Sequence, residues 1–513
     1  MNANGANAVG TDIRRVGVVG AGAMGRGIAQ VCAAAGCDVH LFDMAAEAAA
    51  RAHDAVRGDL AQGVAKGRLT QEDADATLGR MHLATELAQL RDCGLVVEAI
   101  VEQFEPKQQL FRNLEAIVSP DCVLATNTSS LSVTAIAAAC TRPERVAGWH
   151  FFNPVTRMKL AEVVRAPRTT DRVVESLVEL TNRVGHRAVE TSDSPGFIVN
   201  HAGRAFVTEG LKLLAEHTAE HTVLDAILRD CAGFRMGPFE LLDLTGLDVS
   251  VPVMESIHTQ YYGDDRYRPV ALARTRMTAG LLGRKSKEGF YRYEGAAVPE
   301  KTAHSADQPD AAEIRVWWPT TGADALPPEV TSLLQSASRS ADPNQADVVL
   351  LAPLGPDLSA TVAGMAVDAG KALAIDPIFC SKSGVTLMAS PATAPKAVEA
   401  AKRWFATAGI PAHVVTDSPG YVAPRVVACI VNLACEMAQQ RVASPADLDA
   451  AVRLGLGYPH GPFAWGDRIG AKRILAILEG LHATFGDQRY RPSPWLVRRA
   501  KLSLPLSTPD RAA

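Results

Sequence analysis

The sequence lacks any apolar run long enough to cross a membrane, since no stretch reaches the roughly 18 apolar residues that a spanning helix requires. The initial run MNANGANAVGTD contains no basic residue and no apolar core, so it does not form a recognisable secretory signal. These two features predict a cytoplasmic protein without a membrane partner.

The sequence also lacks paired cysteines and blocks of positive charge. The nine cysteines are scattered, odd in number and without a CxxC pair, which suits reduced, mostly buried thiols better than disulfides or zinc ligands. The net charge is −4 and no Lys/Arg block occurs, which argues against nucleic acid as a partner. We therefore expect neither a metal centre nor nucleic-acid binding.

The remaining composition is that of an ordinary globular protein. Of the 513 residues, 47% are apolar and 21% are charged. This length is enough for three or four domains with substantial cores.

A glycine-rich turn follows the first strand-like run, RRVGVVG. Gly20, Gly22 and Gly25 complete a GxGxxG pattern before an alanine-rich helical segment. The first glycine permits a tight turn, the second lets the backbone approach a pyrophosphate, and the third lets the helix pack on the strand. The pattern predicts a dinucleotide site, with a glycine turn in some other α/β unit as the alternative.

The second strand-like run, DVHLFD, ends at Asp43, 23 residues after Gly20 (43 − 20). This is close to the spacing of about 20 residues expected for the acid that hydrogen-bonds the adenosine ribose. A carboxylate at this position would repel a 2′-phosphate, so the sequence favours NAD over NADP.

The next two strand-like runs, GLVVEAIVE and VLATNTSSLS, end in polar residues. Ligands bind at the carboxyl edge of a parallel sheet, so these strand ends are candidates for contacts with the cofactor and the substrate. Ordinary capping of strand ends is the alternative. The candidate side chains are Glu102, Lys107, Asn127 and Ser129.

The segment RVAGWHFFNPVTRMKLAEV contains one histidine and one glutamate in two β-rich runs. The runs flank a turn at Asn153-Pro154, which predicts that His150 and Glu162 lie side by side on neighbouring strands. A neutral imidazole can accept a proton near pH 7, and a carboxylate on its other nitrogen fixes the tautomer. The alternative is a structural histidine beside a solvated glutamate.

Long helices replace the alternating pattern from Thr191 onward. The sequence Asp193-Ser-Pro-Gly predicts a helix cap, with Asn200 about one turn into the helix and facing the sheet.

Residues 45–83 form a charged, helical insertion that could reach over a ligand, and its basic pair is Lys66 and Arg68.

The sequence repeats at a nearly fixed distance. Asp193-Ser-Pro-Gly-Phe recurs as Asp417-Ser-Pro-Gly-Tyr (417 − 193 = 224), and Arg266-Tyr-Arg-Pro recurs as Arg489-Tyr-Arg-Pro (489 − 266 = 223). The 224-residue offset makes Ala374, Thr386 and Pro424 the counterparts of His150, Glu162 and Asn200. The second copy is therefore predicted to lack the dyad.

The repeat and the composition divide the chain into four parts. They are an NAD-binding Rossmann-type α/β domain (1–191), an all-α domain (192–294), a linker (295–313) with a degenerate α/β unit lacking a cofactor site (together 295–415), and a second copy of the all-α domain (416–513). A duplicated self-complementary surface can close on itself, so we expect the two helical copies to form an intramolecular pseudo-dimer, with a homo-oligomer as a further option.

Five motifs in order, GAGAMGRGIAQ, VVEAIVE, NTSSLS, HFFNPVTRMKLAEV and DSPGFIVN, resemble the L-3-hydroxyacyl-CoA dehydrogenase family. The resemblance covers about Arg14 to Tyr293 and again the helical part from Asp417. The duplicated second half is similar to long bacterial members of the 3-hydroxybutyryl-CoA and phenylacetate-pathway 3-hydroxyadipyl-CoA type.

The resemblance implies NAD-dependent oxidation of an L-3-hydroxyacyl-CoA to the 3-ketoacyl-CoA, with short-chain or dicarboxylic acyl groups favoured. It implies that His150 is the general base and Glu162 its partner. Ser129 and Asn200 would bind the reacting oxygens of the substrate. The adenosine half of NAD would contact Gly20, Gly22, Gly25 and Asp43, and the nicotinamide half would lie near Glu102, Lys107 and Asn127.

One departure affects the expected specificity. The family usually continues after Asn200 with a run such as NRLL, whereas this chain has Asn200-His201-Ala202-Gly203.

Two other hypotheses remain open from the sequence. One is a CoA-independent 3-hydroxy acid or sugar-acid dehydrogenase, which would not need Lys66 and Arg68 as contacts for CoA. The other is a protein that senses NAD without turnover.

Overall fold

The structure, a computed structural model, describes residues 13–293, 314–320, 326, 328–334 and 338–510. Its contacts divide the chain into two units. The first unit contains the described residues up to His201 together with Arg441–Leu456, and the second contains Ala202–Gln440 together with the residues from Gly457 onward. The initial run and the predicted linker at 295–313 lie outside the described residues.

The first unit is built on an eight-stranded sheet with the order β3-β2-β1-β4-β5-β6-β7-β8. All neighbouring strands are parallel except β6 and β7, which are antiparallel. The strands are β1 (Arg15–Val19), β2 (Asp38–Phe42), β3 (Met81–Ala84), β4 (Leu95–Glu98), β5 (Val123–Thr126), β6 (Val146–Phe151), β7 (Leu160–Arg165) and β8 (Arg187–Ser192).

The second unit contains a six-stranded sheet with the order β10-β9-β11-β12-β13-β14, in which only β12 and β13 are antiparallel neighbours. Four of its strands lie in the strand-like runs IRVWW, DVVLLAP, ALAIDPIF and AHVVT of the sequence, whereas β10 and β13 lie in none of these runs. The strands are β9 (Arg315–Trp317), β10 (Ser338–Arg339), β11 (Val348–Leu351), β12 (Ala372–Ile375), β13 (Val385–Ala389) and β14 (Ala412–Thr416).

The helices flank both sheets and make up the two helical copies. Among the described residues, no helix combines the length and apolarity needed to traverse a bilayer. The helices are α1 (Ala23–Ala34), α2 (Ala46–Ala65), α3 (Gln71–Gly79), α4 (Phe104–Ile117), α5 (Val133–Ala137), α6 (Asp171–Arg183), α7 (Val199–Ala202), α8 (Arg204–Ala215), α9 (His221–Asp230), α10 (Pro238–Thr245), α11 (Leu247–Gln260), α12 (Ala271–Thr278), α13 (Pro328–Leu333), α14 (Leu358–Val362), α15 (Pro395–Thr407), α16 (Ala423–Gln439), α17 (Pro445–Leu456), α18 (Pro462–Ile469), α19 (Ala471–Phe485) and α20 (Pro494–Leu502).

The predicted fold class is confirmed. The chain has a Rossmann-type α/β part followed by helices, a second α/β unit without the glycine fingerprint, and a second set of helices. The strands of the first sheet read as near-continuous apolar runs because helices cover both faces of a parallel sheet. In β1, for example, the segment Val16–Val19 is fully buried.

The cap predicted at Asp193 is wrong. Its carboxylate accepts hydrogen bonds from the amides of Val133 (3.1 Å) and Thr134 (2.6 Å), so it caps α5 and not the helix that follows it in the chain. The long helix predicted after Gly196 is also interrupted, because α7 ends at Ala202 and α8 begins at Arg204. Unpaired amides at the start of a helix attract a carboxylate wherever the fold brings one near.

The second unit repeats this contact. The carboxylate of Asp417 accepts hydrogen bonds from the amides of Leu358 (2.7 Å) and Ser359 (3.0 Å) at the start of α14. The two halves of the chain therefore share the contact between this aspartate and the start of a helix in the α/β part, in addition to the repeated helical motif.

The 224-residue offset predicted Ala374 as the counterpart of His150, and the pairing of the strands shows that this prediction is wrong. Strand β12 pairs with β13 so that Ala374 faces Met388, and the amide of Asp376 donates to the carbonyl of Thr386 at 3.0 Å. Asp376 therefore lies opposite Thr386. The two members of the pair are 10 residues apart here (386 − 376) and 12 apart in the first sheet (162 − 150), so a single offset cannot match both strands.

Helices of both copies pack together inside the second unit. The guanidinium of Arg425 on α16 is fully buried, 3.1 Å from the Glu209 carboxylate and 2.7 Å from the Glu216 carboxylate, and it donates to the Tyr490 hydroxyl at 2.8 Å. A buried cation of this kind is tolerated only when charged and polar partners surround it.

The two Arg-Tyr-Arg-Pro turns contact each other reciprocally. Arg266 donates to the carbonyl of Arg491 at 3.1 Å, and Arg489, its repeat counterpart, donates to the carbonyl of Arg268. Arg268 also pairs with Asp487 at 2.9 Å. Such reciprocity is the contact pattern of a twofold interface.

Candidate active site

A histidine and a glutamate face each other across the antiparallel strands β6 and β7. His150 and Glu162 are register partners, and Nδ1 of His150 lies 2.6 Å from Oε2 of Glu162. Both side chains are buried. The predicted pairing of neighbouring strands is confirmed.

The carboxylate of Glu162 is fixed on its other oxygen as well. Oε1 accepts hydrogen bonds from the amides of Ile198 (3.0 Å) and Val199 (2.9 Å), at the start of α7. Because an ionised carboxylate only accepts hydrogen bonds, Nδ1 of His150 must be the donor. Nε2 is then the ring nitrogen that can accept a proton.

Aromatic side chains confine the imidazole. The ring centroid of His150 lies 4.5 Å from that of Phe152 and 5.9 Å from that of Phe197. Among the described residues, Nε2 of His150 has no hydrogen-bond partner. The ring is thus held by one nitrogen while the other remains available for chemistry.

The glycine turn has the shape that a dinucleotide requires. Gly20 has φ +105°, and a Cβ there would lie 2.4 Å from the carbonyl oxygen of Ala99. A Cβ on Gly25 would lie 1.8 Å from the carbonyl oxygen of Gly20, so α1 can approach β1 only with glycine at this position. A Cβ on Gly22, by contrast, would meet no atom within 4 Å. The open side of the turn leaves room for a pyrophosphate to approach the backbone, so these residues fit NAD.

The acid at the end of β2 lies beside this turn. The Asp43 carboxylate accepts hydrogen bonds from the amides of Ala21 (2.7 Å) and Ala45 (2.9 Å). It is half-buried and fixed in orientation. This is the location expected for the acid that contacts the adenosine ribose.

A cavity of about 480 Å³ lies at the carboxyl edge of the first sheet. It brings together five of the residues that the sequence proposed for the nicotinamide and the substrate, along with His150. Its lining residues are Met24, Ala99, Ile100, Glu102, Lys107, Asn127, Ser129, His150, Phe151, Phe152, Asn153, Val199, Asn200, Gly455 and Leu456.

Lys107 and two glutamates form a charged cluster at this edge. The ammonium of Lys107 is buried, 2.5 Å from the Glu98 carboxylate and 3.1 Å from the Glu102 carboxylate. Glu98 also accepts a hydrogen bond from the Thr126 hydroxyl at 2.6 Å. The sequence analysis missed Glu98. Its signal was a carboxylate at the end of an apolar strand, nine residues before a lysine (107 − 98).

Glu102 is held in its ionised form. Partial burial alone would raise the pKa of Glu102, but the hydrogen bond from the Thr128 hydroxyl and the nearby Lys107 charge bring that pKa below its usual value. Its Oε1 also accepts a hydrogen bond from the Ser129 amide at 2.8 Å. Glu102 therefore organises the loop that carries Ser129.

Two amide side chains complete the edge of the cavity. Oδ1 of Asn127 accepts a hydrogen bond from the Phe151 amide at 2.9 Å, next to His150 in the chain. Nδ2 of Asn200 donates to the carbonyl oxygen of Ser129 at 3.5 Å. Ser129 and Asn200 are therefore neighbours, and both line the cavity that contains His150.

Lys66 and Arg68 are not part of this cavity. Both are exposed in the segment between α2 and α3, and neither forms a salt bridge with another described residue. The insertion is helical, as predicted. No group of three His, Cys, Asp or Glu side chains in the described part of the chain could hold a metal ion.

A glycine turn with a ribose-type acid, next to a buried imidazole held by a carboxylate, defines a nicotinamide-dependent dehydrogenase. The family model for the NAD-binding domain of 3-hydroxyacyl-CoA dehydrogenase matches residues 15–194, and the model for the C-terminal domain of that enzyme matches 196–293 and again 420–505. The chain therefore belongs to the 3-hydroxyacyl-CoA dehydrogenase family, and it uses NAD to oxidise a 3-hydroxyacyl-CoA.

Two relatives and two solved structures illustrate the similarity. The chain is 38% identical over 493 residues to 3-hydroxyadipyl-CoA dehydrogenase of Escherichia coli K12, covering 96% of this chain and 98% of the relative. It is 42% identical over 279 residues to a probable 3-hydroxybutyryl-CoA dehydrogenase of Deinococcus radiodurans, covering 54% of this chain and all of that relative. A crystal structure of 3-hydroxybutyryl-CoA dehydrogenase from E. coli K12 matches with TM-score 0.83, 38% identity and coverage of 96% and 99%. A structure of (S)-3-hydroxybutyryl-CoA dehydrogenase from Ralstonia eutropha matches with TM-score 0.54 and 35% identity, covering 55% of this chain and all of that one.

Proposed function

We propose that His150 is the general base of the reaction. The observation that carries this role is the 2.6 Å contact between its Nδ1 and Glu162, which leaves Nε2 as the proton acceptor beside Ser129 and Asn200 in the same cavity. The 3-hydroxyl of the substrate gives its proton to Nε2. NAD⁺, when bound, would supply the acceptor for the hydride that leaves C3.

Glu162 stabilises the imidazolium that forms when the proton arrives. Its Oε2 remains hydrogen-bonded to Nδ1, while the amides of Ile198 and Val199 hold Oε1. A carboxylate fixed at both oxygens does not need to reorganise as positive charge develops.

Ser129 and Asn200 orient the oxygens of the substrate in this proposal. Both line the cavity, and Glu102 fixes the Ser129 backbone. Glu102, Lys107 and Asn127 would border the nicotinamide half of NAD, and Gly20, Gly22, Gly25 and Asp43 would hold the adenosine half. Lys66 and Arg68 remain proposed contacts for CoA, since both are exposed and lack salt-bridge partners in the described part of the chain.

The acyl group that fits this cavity best is short and uncharged. Six of the lining residues are large and apolar: Met24, Ile100, Phe151, Phe152, Val199 and Leu456. Apart from His150, the only titratable cation in the lining is Lys107, which already has two carboxylate partners. A dicarboxylic acyl group, such as that of 3-hydroxyadipyl-CoA, is the second candidate, and the full-length E. coli relative of that name supports it.

An assay of NAD reduction with 3-hydroxybutyryl-CoA, 3-hydroxyadipyl-CoA and longer 3-hydroxyacyl-CoA substrates tests this order. We expect kcat/KM to be largest for 3-hydroxybutyryl-CoA. A larger value for 3-hydroxyadipyl-CoA would reverse the order of the two candidates. Equal activity with free 3-hydroxybutyrate or a sugar acid would favour the CoA-independent hypothesis, and NAD binding without turnover would favour the sensing hypothesis.

Four broader features belong to the same proposal. The reciprocal contacts of the two Arg-Tyr-Arg-Pro turns support an intramolecular pseudo-dimer of the helical copies. None of the nine cysteines, all of which lie in the described residues, forms a disulfide, and this supports a location in the reducing cytoplasm. The four-part division of the chain, with boundaries at 191, 294 and 415, also stays a prediction, as does the phenylacetate-pathway role.

A further inference from the structure

One helix of the second copy, α17, belongs to the first unit. The segment Arg441–Leu456 groups with the residues up to His201 and not with the rest of its own copy. Two contacts join it to β8: the Ser192 amide donates to the Val442 carbonyl at 2.8 Å, and Arg187 pairs with Asp447 at 3.1 Å.

The end of α17 reaches the cavity that contains His150. Gly455 and Leu456 are both among its lining residues. Among the residues that the structure describes, the other members of the lining all lie between Met24 and Asn200, so these two come from the second half of the chain and the rest from the first. The second half of the chain, which lacks the dyad, therefore supplies part of the wall of the cavity that contains His150.

Gly455 allows a close approach at this point. A Cβ on Gly455 would lie 2.8 Å from Cγ2 of Val199 and 3.1 Å from Cδ2 of Leu160. Because the Val199 amide holds Glu162, the helix end packs directly on the segment that fixes the dyad. The glycine serves packing here, since its φ is not positive.

The first copy has a different residue at the equivalent position. Cys231 corresponds to Gly455 (231 + 224 = 455), and Ala232 corresponds to Leu456 (232 + 224 = 456). Within the second unit, a Cβ added to Gly384 would lie 3.1 Å from the sulfur of Cys231. At the second sheet, which lacks the dyad, the sulfur of Cys231 lies close to Gly384. At the first sheet, Gly455 has no side chain, so its backbone lies close to Val199 and Leu160, and the larger Leu456 follows it in the chain.

We propose that Leu456 is a specificity residue, which limits the length of the acyl group that the cavity accepts. This inference rests on the proposed oxidation of a short 3-hydroxyacyl-CoA at His150. Leu456 is half-buried and apolar, and it shares the cavity with Phe152, Ser129 and Asn200. A side chain at the wall of an acyl cavity discriminates by volume, and removing or adding carbons there changes the preference by about 10-fold or more.

The test compares Leu456→Ala and Leu456→Phe in the full chain. We expect the ratio of kcat/KM for 3-hydroxyoctanoyl-CoA to that for 3-hydroxybutyryl-CoA to rise about 10-fold in Leu456→Ala and to fall about 10-fold in Leu456→Phe. Leu454→Ala is the matched control, because Leu454 is on the same helix, 43% exposed and outside the cavity lining. Its ratio should equal that of the wild type.

Dissociation constants of acetoacetyl-CoA and 3-ketooctanoyl-CoA provide the same ratio without turnover. If both Leu456 variants keep the wild-type ratios of kcat/KM and of binding while melting within a few degrees of the wild type, Leu456 does not limit the acyl group. Wild-type turnover of 3-hydroxybutyryl-CoA in the same experiment would leave the proposed function intact in that case. If the wild type shows no turnover, the proposed function fails, and the binding ratios alone decide the role of Leu456.

Discussion

The two sheets carry the same antiparallel strand pair, yet only the first pair combines an imidazole with a carboxylate. In the first sheet, His150 faces Glu162, and in the second, Asp376 occupies the facing position opposite Thr386. Both pairs are buried. The comparison teaches that both halves of the chain keep the strand pairing, whereas the second pair has neither the histidine nor the glutamate.

The surroundings of the two pairs differ in the same sense. Glu162 has hydrogen-bond partners on both oxygens, whereas Oδ2 of Asp376 has none among the described residues. A buried polar atom without a partner lowers stability. The second pair also contains no imidazole, so it holds no proton acceptor in a fixed tautomer.

The largest expected effect is that of His150→Ala. We expect kcat to fall by about 10²–10⁴-fold, because general-base catalysis supplies a factor of this size. NAD affinity, measured by the quenching of protein fluorescence, should be unchanged. The matched variant of the second sheet, Asp376→Asn, should keep wild-type turnover, and near-normal turnover of His150→Ala would remove the imidazole from the mechanism.

The next effect is that of Glu162→Gln, with an expected loss in kcat within the same range of about 10²–10⁴-fold, because the base is present but in the wrong tautomer. The amide can still accept hydrogen bonds from Ile198 and Val199, but its NH₂ group faces Nδ1 of His150. The ring must then carry its proton on Nε2, which is the wrong tautomer for a base. Steady-state kinetics measures this loss, and Thr386→Ala is the control in the second sheet, where we expect no change in kcat.

The third prediction concerns the helix caps that the two halves share. Asp193→Ala and Asp417→Ala each remove two backbone hydrogen bonds at the start of a helix, so each should lower the free energy of unfolding by about 1–2 kcal/mol. Chemical denaturation measures both. Only Asp193→Ala should also raise KM, because α5 directly follows the loop that carries Ser129, and equal kinetics in the two variants would contradict this asymmetry.

The smallest effect is a pH dependence of stability in the second sheet. Burial raises the pKa of Asp376 to about 6 in the folded chain, above the value of about 3.9 expected when unfolded. The folded chain then binds more protons between those pH values, so this carboxyl group makes stability fall as pH rises from about 4 to about 6.

The variant Asp376→Asn removes this titration. The difference in Tm between the variant and the wild type should therefore be more favourable to the variant at pH 7.5 than at pH 4.5, by a few degrees at most. Burial also raises the pKa of Asp225, to about 7, but this group is common to both proteins. The same Tm difference at both pH values would mean that Asp376 does not titrate in this range.

Short-range patterns in the sequence were enough to predict much of this molecule. The glycine turn, Asp43 and the strand pair around Asn153-Pro154 depend on local geometry, and the fold class and the pairing of His150 with Glu162 are as expected. The connection between β6 and β7 covers residues 152–159, which is longer than a turn at Asn153-Pro154 alone. The sequence therefore predicted that His150 and Glu162 lie on neighbouring strands, but the exact register came from the structure.

Contacts between distant segments could not be read from the pattern. The position of Asp376 depends on a connection two residues shorter than its counterpart, which the offset taken from the helical repeat did not include. Asp193 was an acceptable cap by local rules, but tertiary contact with α5 determined its partner. Nothing local marks Gly455 or Leu456 as lining residues, since they lie about 300 positions from His150 (455 − 150 = 305).

The location of α17 has a consequence for any shorter form of this protein. Gly455 and Leu456 line the cavity that contains His150, so a chain cut after the first helical copy would lose the part of the cavity wall that these two residues form. Removing the second half would therefore alter the cavity of the first half as well.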